Sequence, residues 1–301
     1  MGLYPTPEDA MDVDARPQPP YARAPEGVLD SRPVADGQML VRRHWALPGA
    51  SRAVLLVHGL GEHSGRYRHV AAWFNARGYD VLGYDQRGHG LSPGPRGALS
   101  RDDDLLSDLA AVYADYAARA PALPLLLGHS MGGLVAARAV LDGRVTPAAL
   151  VLSSPAFLSH GARWLQSLAA GLARTLPNLP LRTGLAVDHL SHDASVVAAY
   201  RHDPLCSARI TPRMADFIFR AGPSCLADAS RLAVPTLLLA AGADRLVDAA
   251  GSREFAAAAW ATRQLTARHF DTLYHELFNE AEPARSQVMK QLGDWLARLP
   301  G

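Results

Sequence analysis

Residues 125–140 read LLLGHSMGGLVAARAV. A run of leucines stops at Gly128, an apolar helical pattern begins at Leu134, and Ser130 is boxed between them by glycines at 128, 132 and 133. Gly128-His129-Ser130-Met131-Gly132 is a G-x-S-x-G sequence in the strand–turn–helix setting that a nucleophile elbow requires. Only small neighbours tolerate so tight a turn, and its strain holds the serine oxygen out at the carboxyl edge of a sheet. The helix that follows aims its N-terminal amides at the same spot, which suits a developing negative charge. The plainer alternative is a glycine-rich turn in which Ser130 only caps the helix.

An elbow needs a parallel sheet, and the rest of the chain supplies one. AVLLVHG (53–59), YDVLGYD (79–85), LPLLLGHS, AALVLSSPA and VPTLLLAAG are short apolar runs ending in turn residues, as strands buried on both faces do. Helical patterns alternate with them at 69–78, 102–120, after Gly132, at SREFAAAAW and at QVMKQLGDWLARL. RQLTARHF (263–270) reads as a last strand, and Asp36-Gly37 marks an early hairpin. The alternation predicts an α/β fold with a mostly parallel central sheet covered by helices on both faces.

The pattern breaks between Pro155 and about Ala233, where leucine, alanine and proline abound without a clear buried strand. A helical insertion over the sheet is the simplest account. Trp164, Leu165, Leu168, Leu172 and Leu176 fall on one helical face there. That face either packs onto the sheet or forms a greasy rim that meets lipid.

The 301 residues suit one large domain with an insertion. A formal charge of +1 gives no pull toward nucleic acid or anionic membrane. Residues 1–27 carry acids and prolines and read as a flexible lead-in rather than a signal peptide; the main domain is expected over 28–301. No stretch is apolar over the 18 or more residues of a membrane span, so a cytoplasmic location is the default. Cys206 and Cys225 fit neither a disulfide framework nor a zinc pattern.

A serine nucleophile needs a base, and the base an orienting acid. Elbow hydrolases carry them in the order serine, acid, histidine. Asp244 follows a strand in LLLAAGADRLVD, and His275 lies in the loop FDTLYHELFNE before the last helix. Both fall at the carboxyl edge, where ligands bind open α/β sheets. Asp248 and His269 compete by proximity, although His269 sits inside the predicted strand. The elbow is expected to turn His129 away from Ser130. The oxyanion calls for two backbone N–H groups: Met131, after the nucleophile, and Leu60, in the loop HGLGEHSGRY (58–67).

That loop resembles a dinucleotide fingerprint, but its third glycine falls one residue late. His58, His63, His69, Asp85 and His89 match no zinc spacing either. Neither a metal nor a cofactor is expected.

Taken together, HGLGEHSGRY, YDQRGHGLSPGPRG, GHSMGG and YHELFNE resemble the monoacylglycerol lipase and lysophospholipase branch of the α/β-hydrolase superfamily. The match runs in order from about Asp36 to the C-terminus. The insertion sequence DHLSHDASVVAAYRHDPLCSARITPRM also resembles this branch, more closely its bacterial monoacylglycerol lipases. The resemblance implies a Ser130–Asp244–His275 triad, Leu60 and Met131 oxyanion amides, and a mobile cap at roughly 156–225. It implies cleavage of monoacylglycerol to fatty acid and glycerol through an acyl-enzyme, with transient contact at lipid interfaces. DQRGHG (85–90) is expected to support the oxyanion side without acting chemically. The rival readings are a lysophospholipase, a broad carboxylesterase or an aminopeptidase-like member, and, more distantly, a binding protein that kept the fold and lost the chemistry.

Overall fold

A computed structural model describes residues 18–160 and 163–299. Ten strands form: β1 Val28–Pro33, β2 Met39–Trp45, β3 Arg52–Val57, β4 Tyr79–Tyr84, β5 Leu125–His129, β6 Leu150–Ser153, β7 Leu181–Arg182, β8 Arg209–Ile210, β9 Thr236–Ala241 and β10 Leu265–Phe270. The helices are α1 Arg68–Asn75, α2 Asp104–Ala117, α3 Met131–Leu141, α4 Arg163–Thr175, α5 Ala194–His202, α6 Pro212–Asp228, α7 Ala249–Ala259 and α8 Ala284–Leu296.

Eight strands make one sheet in the order β1-β2-β4-β3-β5-β6-β9-β10. From β4 to β10 all pairs are parallel, whereas β1 and β2 form the expected hairpin and β2 runs antiparallel to β4. The central strands send alternate side chains into two separate cores. Leu55, Leu126 and Leu238 pack with α2, α3, α6 and α7 on one face. Val54, Leu56, Leu127 and Leu239 pack with α1 and α8 on the other. Burial on both faces is why these strands read as unbroken apolar runs rather than alternating ones.

Between β6 and β9 the chain makes its long excursion through α4, α5 and α6. A two-residue antiparallel ladder, β7 with β8, closes part of it. The buried face of α6, including Met214 and Phe217, joins the same core as Leu134 of α3. The roof is thereby rooted in the body at its far end. The leucine face of α4 is not packed away: Trp164 and Leu168, and Leu176 just beyond the helix, are 63%, 49% and 53% exposed. Of the two readings open in the sequence, ordinary packing onto the sheet is therefore not the one seen.

Residues 1–17 of the lead-in lie outside the described residues. Residues 18–27 lie against the body, in contrast to the expected looseness. Tyr21 is buried beside His69, and Trp45 Nε1 donates to the Pro25 carbonyl at 2.8 Å. The Arg68–Glu26 pair at 2.8 Å adds a further tie, so the segment is fastened at several points.

Candidate active site

The chain turns sharply at the end of β5. Ser130 adopts φ 54° and ψ −121°, a region that disfavours side chains, and then enters α3. The glycines around it are required by close approach. A Cβ at Gly132 would meet the carbonyl oxygens of Val57 and His58, and one at Gly128 would strike the backbone of Gly132 and Gly133. The first turn of α3 therefore lies directly on β3, and the Ser130 side chain opens into a cavity.

That cavity has a volume of about 380 Å³ and is lined by Ser130, Leu60, Met131 and His275 together. Its remaining walls are largely apolar, with Leu158, Leu185, Ile218 and Val247 among them. Size and lining are those of a small-molecule site. Among the described residues, the N–H groups of Leu60 and Met131 have no protein acceptor. The HGLGEHSGRY loop is braced from behind as the sequence leads one to expect. His58 Nε2 accepts from the Gln86 N–H at 2.9 Å, and Gln86 Nε2 donates to the His58 carbonyl at 2.7 Å. Asp85 accepts from the Ser64 N–H and hydroxyl.

His275 sits in the loop between β10 and α8, and Asp244 just beyond β9. His275 Nδ1 and Asp244 Oδ2 are 2.6 Å apart, and both side chains are buried. Asp244 Oδ1 accepts from the Leu246 and Val247 N–H groups, which fixes the carboxylate. With Nδ1 engaged, Nε2 is the nitrogen free to serve the cavity. Burial pulls the imidazole down, but the Asp244 charge overrides it and leaves His275 above its ordinary value. Asp244 is in turn held below the usual carboxylate range: burial raises it, and His275 and the backbone donors more than compensate. No hydrogen bond joins Ser130 Oγ to His275 among the described residues; resting contacts of this kind are commonly long before substrate arrives.

The competitors fall elsewhere. Asp248 caps α7 by accepting from the Ala250 N–H, and His269 is an exposed residue of β10. His129 has a neighbour that the sequence reading did not foresee. Its ring lies against His275, with centroids 4.7 Å apart. Burial, with the neighbouring His275 charge, pushes His129 down to about 3, so it remains neutral and does not repel an imidazolium. The sequence reading also missed a buried cluster of Glu62, Arg66 and Glu276, of which the two glutamates line the cavity. Among the described residues, His63, Asp203 and Cys206 bring three potential metal-binding atoms within 4.8 Å of one another. His63 is already committed, however: Nε2 bonds Asp203 at 2.9 Å, and Nδ1 accepts from the Gly65 N–H.

An elbow serine, a carboxylate-backed imidazole and two free amides around one cavity define a serine hydrolase of the α/β-hydrolase fold. The comparisons agree with that class. A family model for serine aminopeptidase S33 matches residues 49–282. The chain is 35% identical over 249 residues to a monoacylglycerol lipase of Mycolicibacterium smegmatis, covering 81% of this chain and 87% of that one. It is 33% identical over 274 residues to the monoglyceride lipase of Rattus norvegicus, covering 87% and 88%. The crystal structure of Paleococcus ferrophilus monoacylglycerol lipase superposes with a TM-score of 0.80 at 32% identity, covering 87% of this chain and 99% of that one. The chain belongs to the serine aminopeptidase S33 family.

Proposed function

We propose that this enzyme hydrolyses monoacylglycerol to fatty acid and glycerol, with Ser130 as nucleophile, His275 as base and Asp244 as orienting acid. The observation that carries the reading is the 2.6 Å His275–Asp244 contact at a largely apolar cavity shared with the strained Ser130. The names of the relatives just described supply the substrate class.

In the first step His275 Nε2 takes the Ser130 hydroxyl proton as Oγ bonds to the ester carbonyl carbon. The carbonyl electrons move to oxygen, and the Leu60 and Met131 N–H groups hold that oxyanion. Collapse breaks the bond to the glycerol oxygen, which leaves with the proton from His275. A water then gives its proton to His275 and attacks the acyl carbon. A second collapse breaks the Oγ–acyl bond, returns the proton to Ser130 and releases the fatty acid. Asp244 holds the imidazole in one tautomer and stabilises its cation. No step calls for a cofactor.

We further assign the exposed Trp164 and Leu168 of α4, with Leu176 just beyond its end, to contact with the lipid interface from which substrate enters, and the segment about 156–225 to a movable cap. Among the described residues no helix is long and apolar enough to cross a membrane.

The test is a rate profile over monoacylglycerols, lysophospholipids, nitrophenyl esters and peptide arylamides, with fluorophosphonate labelling of Ser130. Monoacylglycerol is expected to lead. A lysophospholipid or arylamide lead would move the substrate class, and an unlabelled Ser130 would remove the nucleophile.

A further inference from the structure

Three charged side chains lie buried against the cavity, Glu62 and Glu276 in its wall and Arg66 behind them, and no step above uses them. Arg66 is 1% exposed, Glu62 3% and Glu276 4%. Charges are costly to bury unless each is fully paired, and replacement by apolar groups is often no less stable. The geometry of these three connects two parts of the site. Arg66 Nη1 donates to Glu62 Oε2 at 2.7 Å and to Glu276 Oε1 at 2.6 Å, and Nη2 donates to Glu276 Oε2 at 2.7 Å. Glu62 Oε1 accepts from the Gly59 N–H at 2.6 Å and from the Tyr67 hydroxyl at 2.7 Å. Glu276 Oε2 also accepts from Asn279 Nδ2 at 2.9 Å. All four carboxylate oxygens are thus engaged within the cluster.

Its two ends arrive at two different working parts. Gly59 precedes Leu60, and a Cβ on Gly59 would stand 3.1 Å from Ser130 Cβ, so the peptide held by Glu62 abuts the nucleophile. Glu276 follows His275, and its own N–H donates to the Leu190 carbonyl at 2.8 Å. One guanidinium therefore ties together segments 210 residues apart in the chain. We infer that Arg66, with Glu62 and Glu276, is a positioning bridge that keeps the Leu60 amide and the His275 imidazole in register about Ser130. The inference rests on the roles proposed above for those three residues.

The bridge has an electrostatic side as well. Asp244, Glu276 and Glu62 favour the charged imidazole; the other titratable groups facing the cluster are the Arg66 cation, the neutral His129 and His58 rings, the Tyr21, Tyr67 and Tyr200 phenols and the Cys206 thiol. Two carboxylates against one guanidinium leave a net negative charge next to the base. Removing the Glu276 charge must therefore move the acidic limb of the rate profile to lower pH.

The experiment compares wild type with Glu276→Gln and Arg66→Lys, following kcat, KM, the pH profile and fluorophosphonate labelling. For Glu276→Gln we expect kcat to fall about 10- to 100-fold, as misplacement by an ångström does. We expect KM within about twofold, since an interaction of the transition state alone is lost. The acidic limb should move down, and labelling should slow in parallel. Arg66→Lys keeps the charge but cannot make the two-pronged bond, so kcat should fall with the limb unmoved. If Glu276→Gln does not fold, a variant combining Arg66→Met, Glu62→Gln and Glu276→Gln leaves no buried charge, and the same loss of kcat is expected of it. Wild-type kcat and pH profile in folded variants, with only thermal stability reduced, would overturn the bridge. A raised KM at unchanged kcat would overturn it too, making the cluster a substrate contact. A wild-type Ser130 that resists fluorophosphonate would instead remove the catalytic reading on which the bridge rests.

Discussion

The main-chain N–H of Ser130 donates to the Ser153 carbonyl at 2.9 Å, fastening the strained residue to the end of the neighbouring strand β6. The Ser130 carbonyl accepts from both Leu134 and Ala156, so the unfavourable backbone is over-determined on each side. Strain maintained in this way has a measurable cost. Both Ser130→Ala and Ser130→Gly should lose essentially all turnover. Glycine, free of a Cβ at φ 54°, should be more stable than alanine by about 1–2 kcal/mol. Urea denaturation of the two variants reads the difference, and equal midpoints would argue against strain at the elbow.

The two aspartates after β9 have separable roles. Asp244→Asn should lower kcat by about a thousandfold or more with the fold intact, because the imidazole loses its orienting acceptor. Asp248→Ala should cost about 1 kcal/mol of stability through the lost α7 cap and leave turnover near wild type. The reverse pattern of activities would transfer the acid role to Asp248.

A base that must be neutral to accept the serine proton gives a rate that rises with pH. Because Asp244 holds His275 above its ordinary value, kcat/KM should be full above that raised value and fall below it. The midpoint of the acidic limb should lie above about 6.5, the ordinary histidine value. A midpoint clearly below it would mean that burial outweighs the carboxylate.

Gly132 is fixed by sterics rather than by chemistry. Gly132→Ala drives a methyl into the carbonyl oxygens of Val57 and His58, both main-chain atoms of rigid segments. Overpacking of this kind should destabilise by about 3 kcal/mol or more, read as a lowered melting temperature or insoluble expression. Gly171 of α4 has open space around it, so Gly171→Ala should be tolerated and makes the matched control.

The lipid contact proposed for the exposed α4 residues predicts a separation of interfacial from soluble turnover. A Trp164→Ser, Leu168→Ser double variant should keep its rate on a dissolved short-chain nitrophenyl ester. Its rate on emulsified long-chain monoacylglycerol, and its sedimentation with lipid vesicles, should fall several-fold, roughly as expected for two lost apolar anchors. Equal losses on both substrates would locate these side chains in the acyl path instead.

What the sequence disclosed follows from how local each signal is. Ser130 and its glycines are a contiguous pattern whose sterics admit one kind of turn. Asp244 and His275 are readable because each follows a strand, and strand ends share one edge of a parallel sheet. The Glu62–Arg66–Glu276 cluster was not readable, since its carboxylates meet only after the chain folds across 210 residues. The α4 leucines illustrate another limit. A helical apolar stripe has the same spacing whether it meets a core or solvent, and only the neighbours decide. His129 lies against His275 because the end of β5 and the loop after β10 converge, which no pairwise spacing encodes.

The strands that bound the long excursion, β6 and β9, are hydrogen-bonded neighbours in the sheet. Everything from 154 to 235 is consequently a detour whose ends depart and rejoin side by side. A lineage, or an engineer, can splice in a roof of another shape at two adjacent seams. The strand register, the elbow and the imidazole loop beneath need no re-threading. What such a splice would replace is the apolar lining that the excursion lends the cavity, Leu158, Leu185 and Ile218 among it, and any replacement must again supply the Leu190 carbonyl that holds the imidazole loop.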